Sequence, residues 1–535
     1  MKLFRLALGA FVLLFAIGDE LSSAQSAPGV AGAPDEIPTI HATSSLVYLD
    51  VTVLDKNGNP VVKGLTRDDF TITEGNKPQR IFSFEAPDIH VMAKKGDSLN
   101  ADGTAPVTIF VLDLLNCSFE DAAFLRYSVH NYLDGQPKQL TSPAELMVVG
   151  NNSMQLLQGY TRSKADLLYA LEHLPGVLPY KQMNPSFFGE RFAQSVEALQ
   201  QIAMQSQGVP GRKNVIWLGF GAPGINTQFL PPTVAGKLAQ FVHVTTNMLV
   251  DARITLFVIY PGLSVSGGNM SLSAFSADAN LGNNDPFAGD INFGIFVNET
   301  GGKLAFNRND VDVQMERSQH LGSEYFTLTY QPAQGEEDGK FRRIRVALRD
   351  PKLHALTKAG YYAPDSKTTP DPRGMLIASL AAASRAAIPF TGLDVRIFDV
   401  VRHPDSRTVA IMAEVKDKGL DWEPTDDGRL QANLVVGIVS LSETRQALAS
   451  RLEHMRFTVP SADPAKRGSL TLQVPVTVGM PRETRSVRVT IANEEGGRLG
   501  SAELNRKTIE AAPAKPTPEP ALAPKPAQKT PVPGS

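Results

Sequence analysis

Apolar positions alternate with polar ones over Val47, Leu49, Val51 and Val53, the period of a strand with one buried face. The run Asp55-Lys-Asn-Gly-Asn-Pro60 then reads as a tight turn. It superficially resembles a calcium loop, but Pro60 and Thr66 stand where an EF-hand needs Gly and Glu. Further strands are expected at Phe70–Glu74 and Gln79–Glu85, divided by Gly75-Asn76. Residues 39–90 are therefore expected to form a β module built of hairpins.

From residue 104 the pattern changes. Val107–Leu112 is almost wholly apolar, as in a strand covered on both faces. Helical spacing runs through Phe119–Leu133, Ser163–Leu174, Phe187–Gln207 and Val234–Ala252, with Ser163 as an N-cap. Strands are expected at Leu146–Val149, Met154–Leu157, Asn214–Leu218 and Ile254–Tyr260, with Tyr325–Tyr330 as the last. Strands alternating with helices predict an α/β fold, a doubly wound and mainly parallel sheet over residues 104–332. Residues 261–290 carry Gly, Ser, Asn and Asp without a period, a long loop that is either functional or disordered.

β patterning returns at Phe341–Leu348 and Gly360-Tyr-Tyr362. The segment 333–364 is expected to complete the module begun at residues 39–90, with the α/β region inserted into it. A linker over 365–390 leads to strands spaced as in a β-sandwich over 391–508. The flanking β regions read as immunoglobulin-like. The Pro/Ala/Lys-rich stretch 509–535 is expected to be an extended, disordered tail.

Composition narrows the function. The 535 residues carry 52 Lys plus Arg against 55 Asp plus Glu, a balance unlike that of a dedicated nucleic-acid binder. Cys117 is the single cysteine, so neither an intrachain disulfide nor a multi-cysteine metal site is available. Lys2 and Arg5, the apolar run Leu6–Gly18 and the small residues Ser22-Ser23-Ala24 fit a signal peptide over 1–24, followed by a linker over 25–38. Export to the periplasm or beyond the cell is expected, with no membrane span in the mature chain. No Gly-x-Ser-x-Gly, His-Glu-x-x-His or complete P-loop is present, so no catalytic residue is nominated.

Several segments carry a family resemblance. They are the buried strand ending in Asp113, the stretch Tyr160-Thr161-Arg-Ser-Lys-Ala-Asp, Asn214-Val-Ile-Trp-Leu-Gly219 and Glu299-Thr-Gly-Gly302. This region resembles the von Willebrand factor A (VWA) domain. Gly64-Leu-Thr-Arg-Asp-Asp-Phe70, Gln79-Arg-Ile-Phe-Ser-Phe-Glu85 and Gly360-Tyr-Tyr362 extend the likeness to the exported, acidobacterial-type VWFA-related family over about residues 40–364. The resemblance implies a metal-ion-dependent adhesion site of pattern Asp-x-Ser-x-Ser, a distant Thr, and a later Asp. Asp113 and Thr161 match it. Leu115 and Cys117 replace the two serines, Asn116 and Ser118 lie one residue later, and Phe220 stands where an Asp is usual. One carboxylate and up to three neutral oxygens make a thin, degenerate site for a hard cation. The alternative is that Asp113 hydrogen-bonds the loop that follows it. No cofactor is expected beyond a weakly bound Mg²⁺, Mn²⁺ or Ca²⁺.

In open α/β sheets ligands gather beyond the carboxyl ends of the strands. The expected binding-face loops there carry Phe220, Asn226, Asn283 and Asp285. The expected function is binding or adhesion to a protein or cell-envelope polymer. A scaffold role in the envelope and an enzyme with an unrecognised site are the alternatives.

Overall fold

The computed structural model describes residues 46–90, 105–151, 154–174, 187–207, 209, 211–262, 286–287, 290–332, 338–365, 372–417, 419–425, 427–460, 470–494 and 498–516. The expected signal peptide, the 25–38 linker and most of the 261–290 loop fall outside these residues. They divide into two compact units, one running to Ser379 with Ala386–Gly392, the other comprising Leu380–Arg385 and Leu393 onward.

The first unit begins with β1 (Val47–Leu54), β2 (Phe70–Glu74), β3 (Lys77–Gln79) and β4 (Ile81–Glu85). Between β1 and β2, the Asp55 carboxylate accepts the backbone N–H groups of Asn57 and Asn59 at 2.8 and 2.9 Å, an Asx-type turn closed by the protein's own amides.

The α/β region follows. β5 (Val107–Asp113), α1 (Phe119–Gly135), β6 (Gln139–Val149), β7 (Met154–Ser163), α2 (Lys164–Glu172) and α3 (Phe188–Ser206) lead to β8 (Lys213–Leu218). After it come β9 (Ile225–Asn226), α4 (Pro232–Asp251), β10 (Ile254–Tyr260), β11 (Asp290–Ile291), α5 (Phe293–Glu299), β12 (Leu304–Phe306) and α6 (Val311–Ser323). A six-stranded sheet runs β12-β10-β8-β5-β6-β7. Its pairings are parallel except for β6 with β7. One face packs on α3, α4 and α5 through Val111, Trp217, Phe192, Val242 and Phe296. The other packs on α1, α2 and α6 through Phe110, Leu218, Leu125, Leu167 and Met315. Burial on both faces explains the unbroken apolar strands.

β13 (Phe326–Tyr330), expected as the last strand of the parallel sheet, belongs elsewhere. It pairs antiparallel with β1, Leu49 opposite Leu328, and with β4, Leu328 opposite Phe84. β14 (Phe341–Leu348), β15 (His354–Leu356) and β16 (Gly360–Tyr362) complete two four-stranded sheets, β15-β1-β13-β4 and β16-β14-β2-β3. β14 pairs directly with β2, Leu348 opposite Phe70. Leu49, Val51, Phe70, Ile72, Phe326 and Ile344 form the shared core.

The polar face of β1 is not left to water. Asp50 receives Arg253 Nε at 3.0 Å, and Thr52 Oγ1 receives Arg212 at 2.8 Å while donating to the Leu321 carbonyl at 2.9 Å. Burial alone would push the Asp50 carboxyl up, but the Arg253 and Arg212 guanidiniums hold it below the usual carboxylate range. Arg212, Lys213 and Arg253 all sit at the amino ends of β8 and β10, so the β module is bonded to that edge of the parallel sheet.

The helix α7 (Pro372–Arg385) occupies the expected 365–390 linker. In the second unit, β17 (Val395–His403), β18 (Thr408–Lys416) and β22 (Thr471–Gly479) form one antiparallel sheet. β19 (Glu423–Pro424), β20 (Leu430–Leu441), β21 (Ala447–Val459), β23 (Ser486–Asn493) and β24 (Leu499–Asn505) form the other. Val409, Ile411, Val436, Val474 and Val489 share one core between them. The start of the expected tail is ordered. α8 (Arg506–Ala511) buries Ile509, and Lys515 N–H donates to the Arg402 carbonyl at 2.9 Å.

Breaking a buried ion pair by removing one partner leaves an uncompensated charge and costs about 3–5 kcal/mol. Asp50→Ala is therefore expected to destabilise the protein by about that amount, measured by urea unfolding, through the stranded Arg253 guanidinium.

Candidate functional site

From β5 the chain builds the sheet outward through β6 and β7, then returns to the other side of β5 to lay down β8, β10 and β12. The strand order thus reverses between β5 and β8. In open α/β sheets the crevice at such a reversal, beyond the carboxyl strand ends, is where ligands bind.

Asp113, the last residue of β5, fills that crevice and is fully buried. One carboxylate oxygen accepts the Asn116 backbone N–H at 2.9 Å. The other accepts Trp217 Nε1 at 3.0 Å and the Gly221 backbone N–H at 2.8 Å. The Asn116 amide nitrogen lies 3.2 and 3.3 Å from the two oxygens. It also donates to Ser195 Oγ at 2.9 Å and the Gly221 carbonyl at 2.7 Å. Arg191 Nε donates to Asn116 Oδ1 at 3.1 Å. Burial pushes the Asp113 carboxyl up, and the Trp217, Gly221 and Asn116 donors oppose that shift.

The backbone after β8 is shaped to reach this carboxylate. Gly219 has φ +148°, and a Cβ there would lie 2.4 Å from Asp113 Cβ. Gly221 has φ +89°, and its Cβ would strike the Phe293 ring at 2.3 Å. Only glycine combines that close approach with positive φ.

The other residues expected as cation ligands do not converge on Asp113. Ser118 caps α1, its Oγ accepting Asp121 N–H at 3.0 Å. Thr161 lies on β7 opposite Ala144, which pairs with Thr108, whereas Asp113 pairs with Val149. Thr161 is thus near the amino edge of the sheet, about 16 Å along the strands from Asp113 at the usual rise of ~3.3 Å per residue. Its hydroxyl donates to Asp166 at 3.0 Å and accepts Ser163 N–H at 3.0 Å. Leu115 and Cys117 are buried in the cores on opposite faces of the sheet. Burial, reinforced by the Asp113 charge, pushes the Cys117 thiol well above its usual range.

These residues do not suit a divalent cation. A hard cation needs free oxygen lone pairs, and here both carboxylate oxygens face protein N–H donors while Asn116 turns its amide nitrogen toward them. Among the described residues no group of three or more His, Cys, Asp or Glu could hold a metal.

Of the residues expected on the binding face, Phe220 is only 4% exposed. Its ring meets Tyr260 at 5.5 Å and Phe306 at 6.5 Å, edge to face. An apolar side chain beside two aromatics gains more by packing than by facing water. Asn226 is exposed, on the β9–β11 ribbon, and caps the 3-10 turn Thr227–Phe229 through Gln228 N–H at 2.9 Å. Asn283 and Asp285 lie outside the described residues. The edge instead presents two aromatics that the sequence reading missed. Phe119 directly follows the Ser118 cap and is 67% exposed; Phe229 is 84% exposed. Arg191 and Ser195 were also missed. Their signal was two polar residues four apart on the helix face that carries Phe192, Val196 and Leu199.

A second polar cluster lies within the same fold. Glu145 on β6 is fully buried and accepts Gln205 Nε2 at 3.2 Å. Burial pushes its carboxyl up to about 8, against the opposing Gln205 and Tyr160 contacts.

No protein-family model matches this chain, and no curated protein matches it. Among solved structures, the SpRpn10 VWA domain shows 16% identity over 29% of this chain and 73% of that chain, with a TM-score of 0.16. The PilB minor pilin from Streptococcus sanguinis shows 9% identity over 42% of this chain and 63% of that chain, with a TM-score of 0.26. The chain thus spans less than two thirds of the pilin's length, and at these scores neither likeness carries an argument.

Asp113→Ala removes the acceptor for three or more buried N–H groups. At about 1–3 kcal/mol for each buried donor left without an acceptor, it is expected to destabilise the fold by at least about 3 kcal/mol. Thermal unfolding with and without excess Mg²⁺ is expected to give the same loss in both conditions, because an ion stabilises only a fold that binds it. Glu145→Gln tests a pH dependence. The unfolded carboxyl ionises near its ordinary value of 4.5 while the folded one stays protonated to about 8, so stability should fall as pH rises between those values. Urea titrations from pH 5 to 8 should show that decline in the wild type, on the order of a few kcal/mol, and a flatter profile in the variant.

Proposed function

We propose that this chain is an exported VWA-type binding protein, flanked by immunoglobulin-like modules. It grips a protein partner through the carboxyl edge of its parallel sheet without a bridging cation. The observation that carries this reading is the pair Phe119 and Phe229. These two strongly exposed phenylalanines follow the carboxyl ends of neighbouring strands β5 and β8, where the strand order reverses. Aromatic side chains are the usual anchors of protein interfaces. Both are held on fixed backbone, one by the Ser118 cap and one by the β9–β11 ribbon, so little ordering entropy is lost on binding. The filled crevice at Asp113 supports the same reading, since it leaves the edge to act through its surface.

A photo-crosslinking residue placed at position 229 in the full chain, exposed to the envelope fraction of the producing organism, is expected to give a discrete adduct. The same residue placed at Tyr169, exposed on α2, should not give it. Two aromatic anchors together contribute on the order of 2 kcal/mol or more, so Phe119→Ser with Phe229→Ser should weaken capture of that partner at least ~10-fold. An adduct from both positions, or capture unchanged in the double variant, removes the edge as the binding surface.

A further inference from the structure

A groove of about 460 Å³ lies beside the β2–β3 turn and the start of β14, and the loop-edge reading does not use it. Its lining includes Lys340, Arg342, Arg343 and Arg345, with Thr73, Asn76 and Phe341, and among the described residues no carboxylate. Asp338, just outside, takes two of the four cations, Lys340 at 3.2 Å and Arg342 at 2.7 Å. Among the described residues Arg343 and Arg345 make no ion pair. Arg343 lies over the Phe341 ring at 5.4 Å, and Arg345 reaches only the Asn76 amide oxygen at 3.5 Å.

Strand geometry sets how these two guanidiniums are presented. Residues 343 and 345 are two apart on β14 and point to the same face. Ile344 between them goes into the core. Glu74, the nearest acid on β2, serves the opposite face, where it accepts the Tyr330 hydroxyl at 2.5 Å. The two arginines thus stand about 7 Å apart along the strand, beside Thr73 of the paired strand β2.

We propose that this groove binds an acidic polysaccharide, with Arg343 and Arg345 pairing with successive carboxylates and Thr73 and Asn76 bonding sugar hydroxyls. The guanidinium's planar fork matches a carboxylate in two-point geometry. The neutral donors beside it suit a ligand that carries hydroxyls as well as charge. An acidic peptide fits less well. Peptides that recognise sheets add to an open edge through their backbone, and β14 is an inner strand, paired over Phe341–Arg343 with β16 and over Ile344–Leu348 with β2. The groove therefore offers mainly side chains, with Gly75 and Gly339 contributing backbone. The site lies on the β module and is independent of the aromatic edge.

The test uses the full chain and three probes: polygalacturonate, neutral dextran and poly-L-glutamate. By calorimetry at low salt, polygalacturonate is expected to bind, dextran to give no heat, and poly-L-glutamate to bind at least ~10-fold more weakly. Added NaCl should weaken the polygalacturonate complex, as for any exposed charge pairing. Arg343→Gln with Arg345→Gln should weaken polygalacturonate at least ~10-fold, while Arg343→Lys with Arg345→Lys keeps part of the affinity and Arg429→Gln, an exposed arginine of the second unit, changes nothing. Near-UV circular dichroism of each variant should match the wild type, because both side chains stand on the solvent face. Absence of polygalacturonate binding overturns the proposal, as does unchanged affinity in the Gln double variant. Equal or tighter binding of poly-L-glutamate overturns it in favour of an acidic peptide.

Discussion

The pairing of β1 with β13 and of β2 with β14 is the constraint on which the first unit depends. Neither four-stranded sheet can form from the residues before 90 alone, because each needs strands that lie beyond residue 325. The α/β region is made between them, so its two ends are held on neighbouring strands. The β module buries Leu49, Val51 and Phe70 only when the chain has returned with Phe326 and Ile344. Closing so long a loop costs entropy that grows slowly with length, and the polar face of β1 helps to offset it. Asp50 and Thr52 are matched there by Arg253 and Arg212, from the amino edge of the parallel sheet.

That attachment gives the two edges of the parallel sheet different roles. The amino edge is bonded to the β module by Arg253, which pairs with Asp50, and by buried Arg212, which donates to Thr52. Burial lowers the Lys213 ammonium to about 7, and its Nζ donates to the carbonyls of Val209 and Gly211 at 2.7 and 2.9 Å. The carboxyl edge carries the loops after β5 and β8. At its centre Asp113 binds protein donors, so the crevice is closed by the chain's own amides. The Asp113 carboxylate organises Asn116, Trp217, Gly221, Ser195 and Arg191 into one buried network. Among the described residues, Phe119, Asn226 and Phe229 remain outward on that edge.

The sequence alone made much of this legible. The apolar runs at Val107–Leu112, Asn214–Leu218 and Ile254–Tyr260 announced a parallel sheet, because strands covered on both faces cannot alternate. The alternation at Val47–Val53 announced a half-buried strand. Short-range signals were sound too: Ser163 does cap α2, through Asp166 N–H at 3.2 Å. Each of these rests on chemistry contained within a few residues.

Tertiary structure decided what depends on partners far along the chain. Phe326–Tyr330 alternates Phe, Leu and Tyr with Thr327 and Thr329, a strand pattern that names no particular sheet, and only the register with β1 and β4 assigns it to the β module. Thr161 matched a motif by its neighbours, yet the β6–β7 pairing sets it at the far edge from Asp113. Phe220 was expected to face a partner, and Tyr260 and Phe306, brought up by β10 and β12, enclosed it instead. Arg191 and Ser195 belong to the Asp113 network because α3 packs across β5 and β8. Periodicity and local chemistry fix what a segment is. Which segment lies beside which is set by the burial of faces that the sequence can describe only one at a time.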